Sequence, residues 1–203
     1  AKRGFSLLDG IEVDVQISKD ETLWLSHSAA LDSCEGNKYS CFSESSDFLI
    51  RQLDSCKGSS YTISSLEEVL AEMAAHYSDK FISLDVKPWV PCGIGSSGIT
   101  GVMNLMADKI WLLVQKYHLE GHVFVESETA TLLSYVKKNC PGIETYLVTT
   151  GDFERGMQIA LEAGYSGISF KYKFDEEISE SHIQMIRRKG LKIQLFTVNE
   201  EQC

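Results

Sequence analysis

No run of apolar residues in this 203-residue chain approaches the roughly 20 that a membrane-spanning helix needs. No C-x-x-C pair occurs among its six cysteines, which argues against a structural zinc site. A surplus of basic residues is also missing: 19 lysines and arginines stand against 29 acids, a net charge of −10. Such a chain does not take up nucleic acid through bulk charge. A phosphate ligand would need a locally built site, with a cation or a few placed basic groups. No signal-peptide pattern opens the sequence, which begins Ala1-Lys2-Arg3-Gly4-Phe5. What is present is ordinary for a folded domain. Hydrophobic residues are 43% and charged residues 24%, enough to build a core and to exclude a disordered chain.

Cys34, Cys41 and Cys56 share one polar stretch, where a disulfide is compatible with the spacing. The plainer reading is that all six cysteines, with Cys92, Cys140 and Cys203, are unpaired thiols of a reducing compartment. That places a cytoplasmic location ahead of a periplasmic or secreted one.

Short β-branched runs bounded by glycine, proline or charge predict strands at Gly10–Gln16, Phe81–Val86, His122–Val125, Thr145–Thr149, Gly167–Phe170 and Lys192–Val198. A shorter one at Thr22–Ser26 would pair locally with the first. Between them, helical patterns cover Ser65–Tyr77, Gly101–Tyr117, Glu128–Asn139, Asp152–Ala163 and Ser179–Lys189. Ser64 and Ser65 followed by Glu67 and Glu68 make a helix N-terminus. Pro141, Gly164 and Gly190 stop the last three helices. Strands alternating with helices mean a parallel sheet, either a (β/α)8 barrel or a doubly wound sheet. The expectation is one domain over residues 1–203, with a polar excursion at about 33–62.

Four groups of residues bear on chemistry. Glu12 and Asp14 alternate with Ile11, Val13 and Val15, so both carboxylates share one face of the first strand. Two acids on an inward face are costly unless something positive sits between them, and a hard cation such as Ca²⁺ or Mg²⁺ suits carboxylate oxygens. The plain alternative is a solvated polar face. In Ser83-Leu84-Asp85-Val86-Lys87, an acid and a base stand two apart near a strand's C-terminal end, where α/β folds bind ligands. Asp85 would be a third metal oxygen and Lys87 a point charge for phosphate, unless the two only satisfy each other. His27 follows the short strand and is placed to protonate a leaving alkoxide, whereas His76, His118, His122 and His182 read as bystanders. Gly93-Ile-Gly95-Ser-Ser-Gly98 matches a dinucleotide-binding pattern, but two prolines separate it from the strand, and Asp108 and Glu120 are misplaced for the ribose acid. It reads as a loop between strand and helix. Met103, Met106, Trp111, Leu112 and Leu113 read as core, and Asp175-Glu176-Glu177 as a solvated helix start.

Together these segments resemble one family. Glu12-Val-Asp14-Val-Gln16-Ile-Ser-Lys-Asp20 with Leu25-Ser26-His27 is similar to the E-x-D…D…H segment of the glycerophosphodiester phosphodiesterases. Ser65-Leu-Glu-Glu-Val-Leu70 resembles that family's SLEEVL helix. Leu84-Asp85-Val86-Lys87 and Gly190-Leu-Lys-Ile-Gln-Leu-Phe-Thr-Val-Asn199 resemble two of its strands. The order is right across residues 10–202. The resemblance implies a TIM (β/α)8 barrel, lacking its first and last strands in this chain. It implies hydrolysis of a small-molecule glycerophosphodiester to sn-glycerol 3-phosphate and an alcohol, with Ca²⁺ or Mg²⁺. Glu12, Asp14 and Asp85 would be the metal ligands, Lys87 the phosphate-binding lysine and His27 the general acid. The sequence also departs from the pattern. Lys2-Arg3-Gly4 stands too close to Glu12 to be the family's H-R-G and reads as the end of a helix, so the family's first catalytic histidine has no counterpart here. Ser28 follows His27 where the family has aspartate, and Phe196 replaces its tryptophan. The alternative function is a barrel that binds phosphate ligands without turnover.

Overall fold

The computed structural model describes residues 1–27, 30–32, 39–55, 63–87, 96–150, 152–171 and 180–196. The chain forms two compact units, Ala1–Val123 and Phe124–Cys203. Among the described residues, no helix is long and apolar enough to cross a membrane.

The first unit begins with α1 (Lys2–Leu7), whose Phe5 is fully buried and stacks on Tyr77. Strand β1 (Gly10–Ile17) follows and turns back through β2 (Leu23–Leu25), paired antiparallel with Val15 opposite Leu25. Strand β5 (Phe81–Val86) lies parallel on the other side of β1, with Asp14 beside Asp85. Alternation places Val15 and Ile17 in the core and leaves Glu12, Asp14 and Gln16 on the opposite face.

Helix α3 (Leu66–His76) starts where the sequence placed it. Ser65 accepts from the Glu68 amide, and Glu68 accepts from the Ser65 amide in return. This capping box satisfies two amide donors at the helix N-terminus that would otherwise lack partners. Leu66, Leu70 and Met73 form its buried stripe. Helix α4 (Ser96–Tyr117) packs against α3, with Met106, Ile110 and Val114 buried. Met103 is buried as expected, but Leu112 is 61% exposed, because it falls on the far side of the helix.

The stretch read as a polar excursion holds more order than its composition suggests. It contains the short hairpin β3 (Ala30–Asp32) and β4 (Tyr39–Cys41), a 3-10 turn at Phe42–Glu44, and α2 (Asp47–Ser55). Asp47 anchors this stretch. Its carboxylate accepts hydrogen bonds from Ser18 and Thr22 at 2.6 Å and from the Trp24 indole at 3.0 Å. Partial burial works to raise the Asp47 pKa, but those three donors and Arg51 overcome it, so the carboxyl titrates below the usual aspartate range. Trp24, Phe42 and Ile50 pack together beneath. The reading of six unpaired thiols is corrected here: Cys41 is disulfide-bonded, while Cys140 is a buried thiol outside any disulfide. Cys34, Cys56, Cys92 and Cys203 lie outside the described residues, as do Gly93, Gly95, Asp175–Glu177 and Thr197–Asn199.

The second unit is a regular alternation. Strands β6 (Val123–Ser127), β7 (Glu144–Thr149), β8 (Gly167–Lys171) and β9 (Lys192–Phe196) run parallel in that spatial order. Helices α5 (Ala130–Asn139), α6 (Phe153–Ala163) and α7 (Glu180–Arg188) connect them. Gly164 ends α6 in the left-handed conformation, with φ of 65°. Val125, Leu147, Ile168 and Phe170 bury the strands' apolar face, with Leu133, Val136 and Ala160 from the helices also in the core.

Candidate active site

The parallel register of β1 and β5 sets the site. Asp14 and Asp85 are direct neighbours across the ladder, so their side chains project to the same side. Glu12 precedes Asp14 by two and shares that side. The result is three carboxylates whose ligand oxygens all lie within 4.8 Å of one another. Oxygens that share one Ca²⁺ at about 2.3–2.6 Å stand no more than about 5.2 Å apart, so the spacing fits a common cation. The donor set fits as well, because hard cations take carboxylate oxygen. Glu12 is exposed, and Asp14 and Asp85 are half-buried, so a ligand can reach them.

Lys87 closes the cluster. Its ammonium hydrogen-bonds the Asp85 carboxylate and lies 3.4 Å from Asp14 Oδ1. Its backbone amide donates to the Val15 carbonyl at 3.0 Å, which extends the ladder one residue past β5. Burial alone would pull the lysine down, yet Asp85 and Asp14 carry it above the usual lysine range. Lys87 therefore stays charged at neutral pH.

His27 stands just beyond the end of β2. The Ser26 amide donates to the Asp14 carbonyl at 3.0 Å, so the chain leaving β2 is fixed to the residue that carries a site carboxylate. His27 is exposed. Three of the other histidines serve local structure. His122 Nδ1 meets the Lys80 carbonyl at 2.9 Å and its ring stacks on Phe81. His118 sits in a left-handed turn after α4 with φ of 54°, and His182 lies against Phe153. Asp20, the further acid of the first motif, accepts the Asp47 amide at 2.8 Å and so belongs to the anchoring of α2 rather than to the cluster.

Two features went unremarked in the sequence. Gln16 continues the face of Glu12 and Asp14, is 2% exposed, and points its amide at the His27 carbonyl across 3.5 Å. Its place at the next even position after Asp14 was the available signal. In the second unit, buried Glu126 accepts from Gln194 at 2.7 Å. Nothing in its local sequence marks that pair, because 68 residues separate the two.

A family model for the glycerophosphoryl diester phosphodiesterases matches residues 6–202. No curated protein sequence matches the chain significantly. Solved structures are similar in fold at low identity. A phosphodiesterase from Oleispira antarctica, in complex with the product sn-glycerol-3-phosphate, is 19% identical with a TM-score of 0.75, over 98% of this chain and 76% of that one. A glycerophosphodiester phosphodiesterase from Parabacteroides distasonis is 16% identical with a TM-score of 0.74, over 98% and 75%. One from Thermotoga maritima is 19% identical with a TM-score of 0.71, over 98% and 77%. The chain belongs to the glycerophosphoryl diester phosphodiesterase family and is an enzyme of that family's TIM-barrel fold.

Proposed function

We propose that this phosphodiesterase hydrolyses glycerophosphodiesters to sn-glycerol 3-phosphate and an alcohol, with Mg²⁺ or Ca²⁺ held by Glu12, Asp14 and Asp85. The observation that carries the reading is the group of three carboxylates within 4.8 Å, on neighbouring parallel strands, with Lys87 at its edge. The product bound to the Oleispira antarctica relative supports the choice of substrate. A bound cation would supply charge to the phosphate oxygens. Lys87 adds a fixed positive charge on the same side and favours the more negative transition state over the substrate. His27 donates a proton to the leaving oxygen as its bond to phosphorus breaks, because an unprotonated alkoxide is a poor leaving group.

The test is release of glycerol 3-phosphate from glycerophosphocholine, with and without a chelator. Release that a chelator stops and Mg²⁺ or Ca²⁺ restores is the expected result. Release indifferent to the chelator would remove the metal from the scheme. Tight glycerol 3-phosphate binding by calorimetry with no release would indicate a phosphate-binding descendant instead. His27→Ala is expected to abolish turnover of glycerophosphocholine while sparing an activated nitrophenyl ester. Equal loss on both would remove the general-acid role.

A further inference from the structure

Gln16 is a polar side chain buried on the strand face that carries the carboxylates. It lies on β1 two residues past Asp14 and on the same face as both β1 carboxylates, at 2% exposure. Directly opposite it across the antiparallel ladder stands Trp24, which is fully buried. A carboxamide taken out of water costs about 1–3 kcal/mol unless a partner receives it, and an unbranched apolar side chain would fill the same space without that cost. The partner is the main-chain carbonyl of His27, eleven residues away, at 3.5 Å from Gln16 Nε2.

The β1–β2 ladder ends at Val15 opposite Leu25. Beyond it two contacts among the described residues tie the chain to β1. One is the Ser26 amide on the Asp14 carbonyl at 3.0 Å, and the other is Gln16 on His27. The first fixes where the chain leaves the sheet. The second holds the His27 carbonyl, bonded to the same Cα from which the imidazole hangs. At 3.5 Å the contact is long, as bonds that tighten only in a substrate complex often are in the free enzyme.

We infer that Gln16 is a positioning residue for His27: its carboxamide holds the His27 main chain so that the imidazole meets the leaving oxygen. The inference rests on the reading of His27 as the general acid. One strand then carries both halves of the site, two carboxylates through their own side chains and the acid through the amide of Gln16.

The test uses Gln16→Met, which keeps the length and removes the donor, and Gln16→Leu as a second uncharged variant that also lacks the donor. The loss in kcat on glycerophosphocholine should be about ten- to a hundredfold, the range that misplacement of a catalytic group by an ångström produces. KM should stay within about twofold, and turnover of an activated nitrophenyl ester should be nearly unchanged. Adding Gln16→Met to His27→Ala should cost nothing further, because the tether acts only through the imidazole. Mg²⁺ and Ca²⁺ affinity by calorimetry should match the parent, and the His27 ring resonances should shift or broaden in the nuclear magnetic resonance spectrum. Unchanged His27 resonances would overturn the tether. Equal loss on both esters, or losses that add in the double variant, would overturn its catalytic consequence. If His27→Ala itself loses both esters equally, the general-acid reading fails first, and the role of Gln16 falls with it.

Discussion

The two units solve one problem in opposite ways. Each has parallel strands with one apolar face and one polar face, and each polar face carries carboxylates. In the second unit every described acid on that face has its own partner. Glu126 takes a hydrogen bond from Gln194, and Glu144 takes one from the Tyr146 hydroxyl at 3.0 Å and an ion pair from Lys192 at 2.5 Å. Burial first, then the charges of Glu144 and Glu126, push the Tyr146 phenol well above its usual range, so it remains a neutral donor. In the first unit three acids crowd into one space beside a single lysine. The lesson is that burial alone does not mark the acids proposed for the site. Glu126, at 3% exposure, is more buried than Glu12 or Asp14, yet it sits in a closed arrangement. The crowded and half-open acids are the ones that call for a cation.

That contrast can be broken from either side. The largest effect is expected from Asp85→Asn, which takes one charge from the crowded group. Glycerol 3-phosphate release should fall about a thousandfold, and calorimetry should show weakened Mg²⁺ or Ca²⁺ binding. Glu126→Gln, the same change in the second unit, should leave metal affinity as it was. Lys87→Met comes next, with a loss in turnover of about a hundredfold but continued metal binding. Smaller again is Gly167→Ala. A Cβ there would lie 2.7 Å from the Tyr146 ring and 2.5 Å from the Lys192 carbonyl, so the ring that serves Glu144 must move. A stability loss of about 1–3 kcal/mol is expected from such overpacking, read by denaturant titration, with metal affinity again unchanged.

The smallest effect concerns acid. Asp47 is held below the ordinary aspartate value of 3.8 by its three donors. Its contribution to stability is therefore complete above that value and fades as pH falls through the lower folded-state value. Asp47→Asn should make the melting temperature less dependent on pH below about 4. An unchanged acid limb would show that other carboxyls dominate it.

Much of this was legible in the sequence, for physical reasons that can be named. The six principal strands were visible because β-branched residues run between glycine, proline and charge, as at Phe81–Val86. Helix α3 was visible because its cap is local, with Ser65 and Glu68 three residues apart. The carboxylate cluster was visible because strand alternation turns a spacing of two into a shared face. What was missed depends on contacts distant in sequence. Helix α2 was hidden in an acidic, serine-rich stretch, since its anchor Asp47 is held by residues 18, 22 and 24. The Gln16 contact depends on the hairpin register that brings residue 27 back to the strand. The bond at Cys41 could not be told from a free thiol by composition.

The pairing of Asp14 beside Asp85 has a consequence for how this protein can change over generations. Glu12, Asp14, Asp85 and Lys87 work together only while each keeps its parity along its strand. Loop length on the outer side of either strand is free to drift. One residue inserted or deleted between Gly10 and Asp14, or between Phe81 and Asp85, would turn a carboxylate to the opposite face and a valine or leucine towards the proposed site. The site thus tolerates many substitutions around it and almost no change of frame within it. A library of single-residue insertions should show two narrow intolerant windows at those strands, flanked by permissive ground.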